Sequence, residues 1–189
     1  IHAWPYDLRM ALKAEFGEFP FATFWGPVAG KQSPAGKPEA ASKWIADASK
    51  WVEREKQPVL NLVYLPHLDY NLQRLGPAHP DIANDLQRID RIVGGLIGFF
   101  EERDVQVVLL SEYGITPVEQ PIHLNRLFRE RGWLTIKEEF GLERLDCGNS
   151  RAFAVADHQV AHVYLNDTSI ENEVRGLLER TDGVAAVWG

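Results

Sequence analysis

The sequence is short of the residues that cross-link small folds or anchor proteins in membranes. Cys147 is the only cysteine in 189 residues, so no disulfide forms within the chain, and a reducing compartment is expected. No apolar run approaches the length of a bilayer span. The opening IHAWPYDLRM has neither the basic region nor the apolar core of a secretory leader. Together these predict a cytoplasmic protein without a membrane partner. Basic excess is missing as well: 20 Lys and Arg stand against 27 Asp and Glu, a formal charge of −7. That argues against a nucleic acid polymer as partner, since neutralising phosphates needs a basic face. A small phosphorylated substrate stays open, because a bound cation supplies positive charge locally. The chain also lacks an initiator methionine and ends abruptly in GVAAVWG, which reads as a piece of a longer protein.

What is present is the composition of a globular domain, with 45% hydrophobic and 25% charged residues. Helical periodicity is predicted over Pro5 to Phe16, Ser42 to Glu55, Pro80 to Arg103 and His123 to Arg131. PVLNLVYLP (Pro58 to Pro66) and VQVVLL (Val105 to Leu110) read as buried central strands, paired in parallel through the intervening helix. KQSPAGK (Lys31 to Lys37) is the best candidate for disorder, and WLTIKEEF for an edge strand. After Cys147 the pattern becomes two short strands, a helix from Thr168 to Arg180 and a last strand, GVAAVW. The expected fold is α/β, a mostly parallel sheet flanked by helices. Residues 1–149 form its core portion and 150–189 a small α+β subdomain of the same unit.

In open parallel sheets the ligand crevice lies beyond the carboxyl ends of the strands. One strand runs out into LPHLDYNLQRLGP and the other into SEYG, which brings Asp69 and Glu112 to one rim. Convergent carboxylates repel unless a cation or proton is shared, so a metal site is one reading. The other is a pair of ordinary helix caps or loop acceptors. His67, two residues before Asp69, shares its side if the segment is extended. His158, at a turn with Asp157, and Arg74 and Arg151, as phosphate or carboxylate clamps, complete the candidates. The aromatic run Phe19, Phe21, Phe24 and Trp25 lines a pocket or packs as core. GGLIG (Gly94 to Gly98) lies inside an amphipathic helix and lacks the strand that a phosphate loop needs; its glycines suit close helix-to-sheet packing.

LVYLPHLDYNLQRLGPAHPDIANDLQRIDRIVGGLI followed by VVLLSEYGITP resembles the type I phosphodiesterase/nucleotide pyrophosphatase family of the alkaline phosphatase superfamily. That family has a strand ending in Asp-x-x-Gly-His-x-x-Gly-Pro, a long helix, and a strand ending in Ser-Asp-His-Gly-Met. Asp69 and Gly76-Pro77 fall on the first motif, Glu112 and Gly114 on the second. Gln73 and Tyr113 stand where the family has its histidines. The resemblance implies an alkaline-phosphatase-like fold and metal-assisted hydrolysis of phosphoester or phosphoanhydride bonds. One or two divalent metals (Zn, Mn or Mg) would be held by Asp69 and Glu112, with Gln73, Tyr113, His67 or His158 as further metal or substrate contacts and Arg74 as a phosphate clamp. The Thr or Ser nucleophile is expected outside this chain, so the isolated chain is expected to be inactive or to bind no metal. A catalytically degenerate member serving as a binding or structural module is the alternative, with a homodimer formed through an unpaired sheet edge.

Overall fold

The structure is a computed structural model that describes residues 4–34 and 36–189. His2 therefore lies outside the described residues. The chain divides into two compact units, Ile1–Val118 and Glu119–Gly189. Among the described residues no helix is long and apolar enough to cross a membrane.

The first unit is built from four helices: α1 (Tyr6–Phe16), α2 (Ala40–Lys56), α3 (His67–Leu75) and α4 (Ile82–Glu101). In α4 the residues Ile82, Ile89, Leu96 and Phe100 make one buried stripe, as an amphipathic helix requires. Ala46 of α2 meets Leu96 and Phe100, its small side chain allowing close helix approach. Against that core pack Val63, Leu65 and Val105 from two extended segments, 59–65 and 105–110. Phe19 packs edge-to-face on Phe24 and Trp44, with centroids 5.1 and 5.3 Å apart, while Phe21 and Trp25 are exposed. The expected disordered stretch carries a tight turn, closed by a bridge between Ser33 and Gly36.

The expected parallel sheet is not what the described residues show. Their ladders are two antiparallel hairpins, both in the second unit. Among the described residues no backbone hydrogen bond involves 59–65 or 106–110. An extended segment becomes a strand only when a neighbour takes up its backbone groups, and neither segment has one among the described residues. One face of 59–65 rests on the helices; the other leaves Leu60, Leu62 and Tyr64 in solvent, joined by Val108 and Leu110 of the second segment.

The second unit closes its own core. α5 (Leu124–Glu130) contributes Phe128, and the hairpin β3 (Ala152–Asp157) with β4 (Val160–Leu165) contributes Ala152 and Ala154. A 3-10 turn (Thr168–Ile170) leads into α6 (Glu171–Glu179), which adds Val174 and Leu178. Asn125 completes the open edge of β3: its amide donates to the Ala154 carbonyl at 2.8 Å and accepts from the Ala154 N–H at 2.7 Å. The other hairpin, β1 (Ile136–Glu139) with β2 (Leu142–Leu145), turns at Phe140-Gly141, both at positive φ as a two-residue hairpin loop demands. The sequence boundary at 149/150 falls inside this unit. Gly183 to Trp188, expected as a strand, joins no ladder among the described residues; Val187 packs on the core and Trp188 is exposed.

Candidate active site

Segment 59–65 ends at Pro66, and α3 begins at His67. Asp69 therefore lies in the first turn of α3, where the positive end of the helix dipole favours a carboxylate. Segment 105–110 runs on into Glu112 and Tyr113. The Tyr113 hydroxyl donates to Oδ2 of Asp69 at 2.8 Å, so the carboxyl ends of the two segments meet.

The negative charge of Glu112 is felt at the Tyr64 and Tyr113 phenols. Burial pushes the Tyr64 phenol up, and the negative charges of Asp69 and Glu112 push it further, against a bond with Trp25 that lowers it. The bond to Asp69 drives the Tyr113 phenol up to about 12, with burial and the nearby charges adding to it. Tyr70, behind them, is pushed up to about 12 by burial and meets the Trp25 ring edge-on at 5.0 Å. All three phenols are hydrogen-bond donors at neutral pH. The site thus presents two carboxylates and neutral hydroxyls, and no anionic oxygen from tyrosine.

His67 does not join them. Because α3 starts at this residue, two positions along the helix is more than half a turn, and His67 faces inward while Asp69 faces the rim. Its Nε2 lies 3.4 Å from Oδ1 of the buried Asp85. Burial holds the imidazole below its ordinary pKa, against the opposing pull of Asp85 and Glu39. Asp85 also accepts from the Asn71 amide and, at 2.9 Å, from Arg88. Asn71 donates to the Gly30 carbonyl at 2.9 Å and accepts from Arg74. Asn71, Asp85, Arg74 and Arg88 thus form a polar network that ties α3 to α4, while neither ring nitrogen of His67 makes a hydrogen bond among the described residues.

Gln73 is exposed one turn after Asp69, on the same face of α3. Arg74 spends one bond on Asn71 and is otherwise exposed. His158 sits in the loop of the β3–β4 hairpin at φ 55, in the second unit, 3.8 Å from Asp157. Arg151 pairs with Asp167 at 2.8 Å, so that candidate clamp is already committed. Among the described residues no group of three or more His, Cys, Asp or Glu side chains could hold a metal ion. Tyr64 and Asp85 were not singled out as site residues. Asp85 carried a signal, since it interrupts the apolar stripe between Ile82 and Ile89; Tyr64 carried none beyond its place near a strand end.

The model of the family described as type I phosphodiesterase / nucleotide pyrophosphatase matches residues 22–188. An uncharacterised pyrophosphatase/phosphodiesterase of Schizosaccharomyces pombe is 32% identical over 65 residues, which is 32% of this chain and 13% of that protein. The chain thus spans a small part of the length of the curated relative it matches. No solved structure matches it significantly.

Proposed function

The chain belongs to the type I phosphodiesterase/nucleotide pyrophosphatase family, and from that premise we propose that it supplies the carboxylate part of a hydrolase site acting on phosphoester or phosphoanhydride bonds. The observation that carries this reading is the meeting of Asp69 and Tyr113, with Glu112 beside them, at the ends of two extended segments.

The donor set discriminates between metals. Two carboxylates without an imidazole suit a hard, oxygen-seeking cation such as Mg²⁺ or Mn²⁺, which is held by one or two carboxylates plus water and substrate oxygens. They do not suit a nitrogen- and sulfur-rich zinc site. Asp69 and Glu112 would hold the cation. When bound, it would offset the charge that builds on phosphate oxygens during hydrolysis. Tyr113 positions Asp69 through its hydrogen bond and, as a neutral donor, offers a hydrogen bond to a substrate oxygen once that bond is exchanged. Gln73, on the same face, offers an amide to the same space.

The test is hydrolysis of a chromogenic phosphodiester by the intact protein with Mn²⁺, comparing wild type with Asp69→Asn. The rate is expected to fall by about a hundredfold or more, as for removal of a charge-stabilising group. An unchanged rate would sink the reading. One observation favours a second reading, a recognition module that has lost catalysis: the Tyr113 hydroxyl is bonded to Oδ2 of Asp69, where it competes with a metal. Under that reading Tyr113→Phe frees Asp69 and raises Mn²⁺ affinity, with no turnover in either form.

A further inference from the structure

Between α2 and α4 runs an open groove of about 410 Å³. That is within the roughly 300–1,000 Å³ typical of small-molecule sites. It shares no lining residue with the site at Asp69, Glu112 and Tyr113. Its floor is apolar: Ala46 from α2, with Ile92 and Gly95 from α4. Its walls are basic, although the chain as a whole is acidic.

The charges in the groove separate into committed and uncommitted ones. Lys43 pairs with Asp47 one turn along α2. Arg88 is taken up by Asp85 at 2.9 Å and by Glu39 at 3.8 Å. Of the carboxylates that line the groove, Asp47 is paired by Lys43, whereas the buried Glu39 Oε2 lies 3.8 Å from Arg88 without a hydrogen bond. Lys50 and Arg91 make no ion pair among the described residues. The Lys50 ammonium is instead held 5.6 Å from the Phe99 ring centroid, a cation–π contact that leaves its charge available. Gly95 keeps the floor bare beneath them: a Cβ there would meet only the Lys50 Nζ, at 3.5 Å. The expectation that these glycines allow close packing is not met, since a Cβ on Gly94 or Gly98 would touch nothing within 4 Å.

We propose that this groove is a second ligand site, taking a small organic phosphate whose apolar body lies on Ala46, Ile92 and Gly95 and whose anionic group is held by Lys50 and Arg91. The apolar floor distinguishes such a ligand from inorganic phosphate, and the uncommitted cations distinguish it from a neutral aromatic. The proposal does not depend on the hydrolase reading.

The test is a titration of the ¹⁵N-labelled chain with phenylphosphonate, a non-hydrolysable aryl anion, followed through the backbone amides of Lys50, Arg91 and Gly95. Those amides are expected to move saturably. Inorganic phosphate and benzyl alcohol should bind at least about tenfold more weakly, each lacking one half of the recognition. Gly95→Leu fills the floor and replaces glycine by a better helix former, so the fold is retained while binding falls at least about tenfold. Arg91→Glu should do the same through charge, and Asp69→Asn should leave the titration unchanged. The proposal is overturned if those amides do not move at millimolar probe, if inorganic phosphate or benzyl alcohol binds as well, if Gly95→Leu or Arg91→Glu binds like wild type, or if Asp69→Asn weakens binding. The last outcome would place the probe at the carboxylate site.

Discussion

The two units bury apolar surface in different ways. In the second, Phe128, Trp133, Ile170, Val174 and Leu178 are enclosed by the unit's own helices and hairpins, and even the edge of β3 is closed by Asn125. In the first, the α2–α4 layer covers one side of two apolar segments and leaves the other side open, with Leu62 88% and Leu110 83% exposed. The difference bears on function, because the open segments are the ones that deliver Asp69, Glu112 and Tyr113. Among the described residues the Tyr113–Asp69 bond joins their carboxyl ends and the network around Asp85 holds α3 to α4, without a ladder of backbone bonds. Site geometry in this unit therefore rests on side-chain chemistry, whereas the second unit rests on packing.

The comparison can be broken most severely at Phe128, which is fully buried. Phe128→Ala is expected to cost about 4 kcal/mol and to abolish hydrogen-exchange protection in β3 and α6 while sparing α4. Next comes Asp85→Ala. Removing the acceptor shared by Asn71 and Arg88 leaves buried donors unpaired, at about 3 kcal/mol, read from chemical denaturation of the first unit. In contrast Leu62→Lys, on the open face, should change stability by no more than about 0.5 kcal/mol. It should still lower the fluorescence of an apolar dye, since it interrupts the patch. The smallest effect is expected at Asp167. Bonds from Ser169 and then Arg151 hold its carboxyl below the ordinary range. A depressed native pKa means that the unfolded chain binds the proton first. The contribution is thus present above the ordinary carboxylate range and is lost as pH falls through the lowered native value. Asp167→Asn should flatten the acid limb of the second unit's stability profile.

The helices were legible because their signals are local: stripe spacing in α4, and Asp167 capping the turn before α6 through Ser169. Asp69 and Tyr113 meet because each stands just past an apolar extended segment. The parallel sheet was not legible in the same way. Val59 to Leu65 has the composition of a central strand, but composition states only what the segment can bury, and pairing depends on a neighbour with matching register. His67 shares the side of Asp69 only in an extended segment, and Pro66 ends the extended run, with α3 beginning immediately after it. The groove between α2 and α4 was illegible altogether, since it depends on which cations are already paired, and that is a property of the packed helices.

Mn²⁺ titration followed by electron paramagnetic resonance tests the carboxylate site most directly, because it reads the metal without requiring turnover. The account predicts saturable binding by the wild-type chain, weakened at least about tenfold by Asp69→Asn and equally by Glu112→Gln, with His158→Ala unchanged. Binding that survives both carboxylate substitutions, or that is lost with His158→Ala alone, would contradict it.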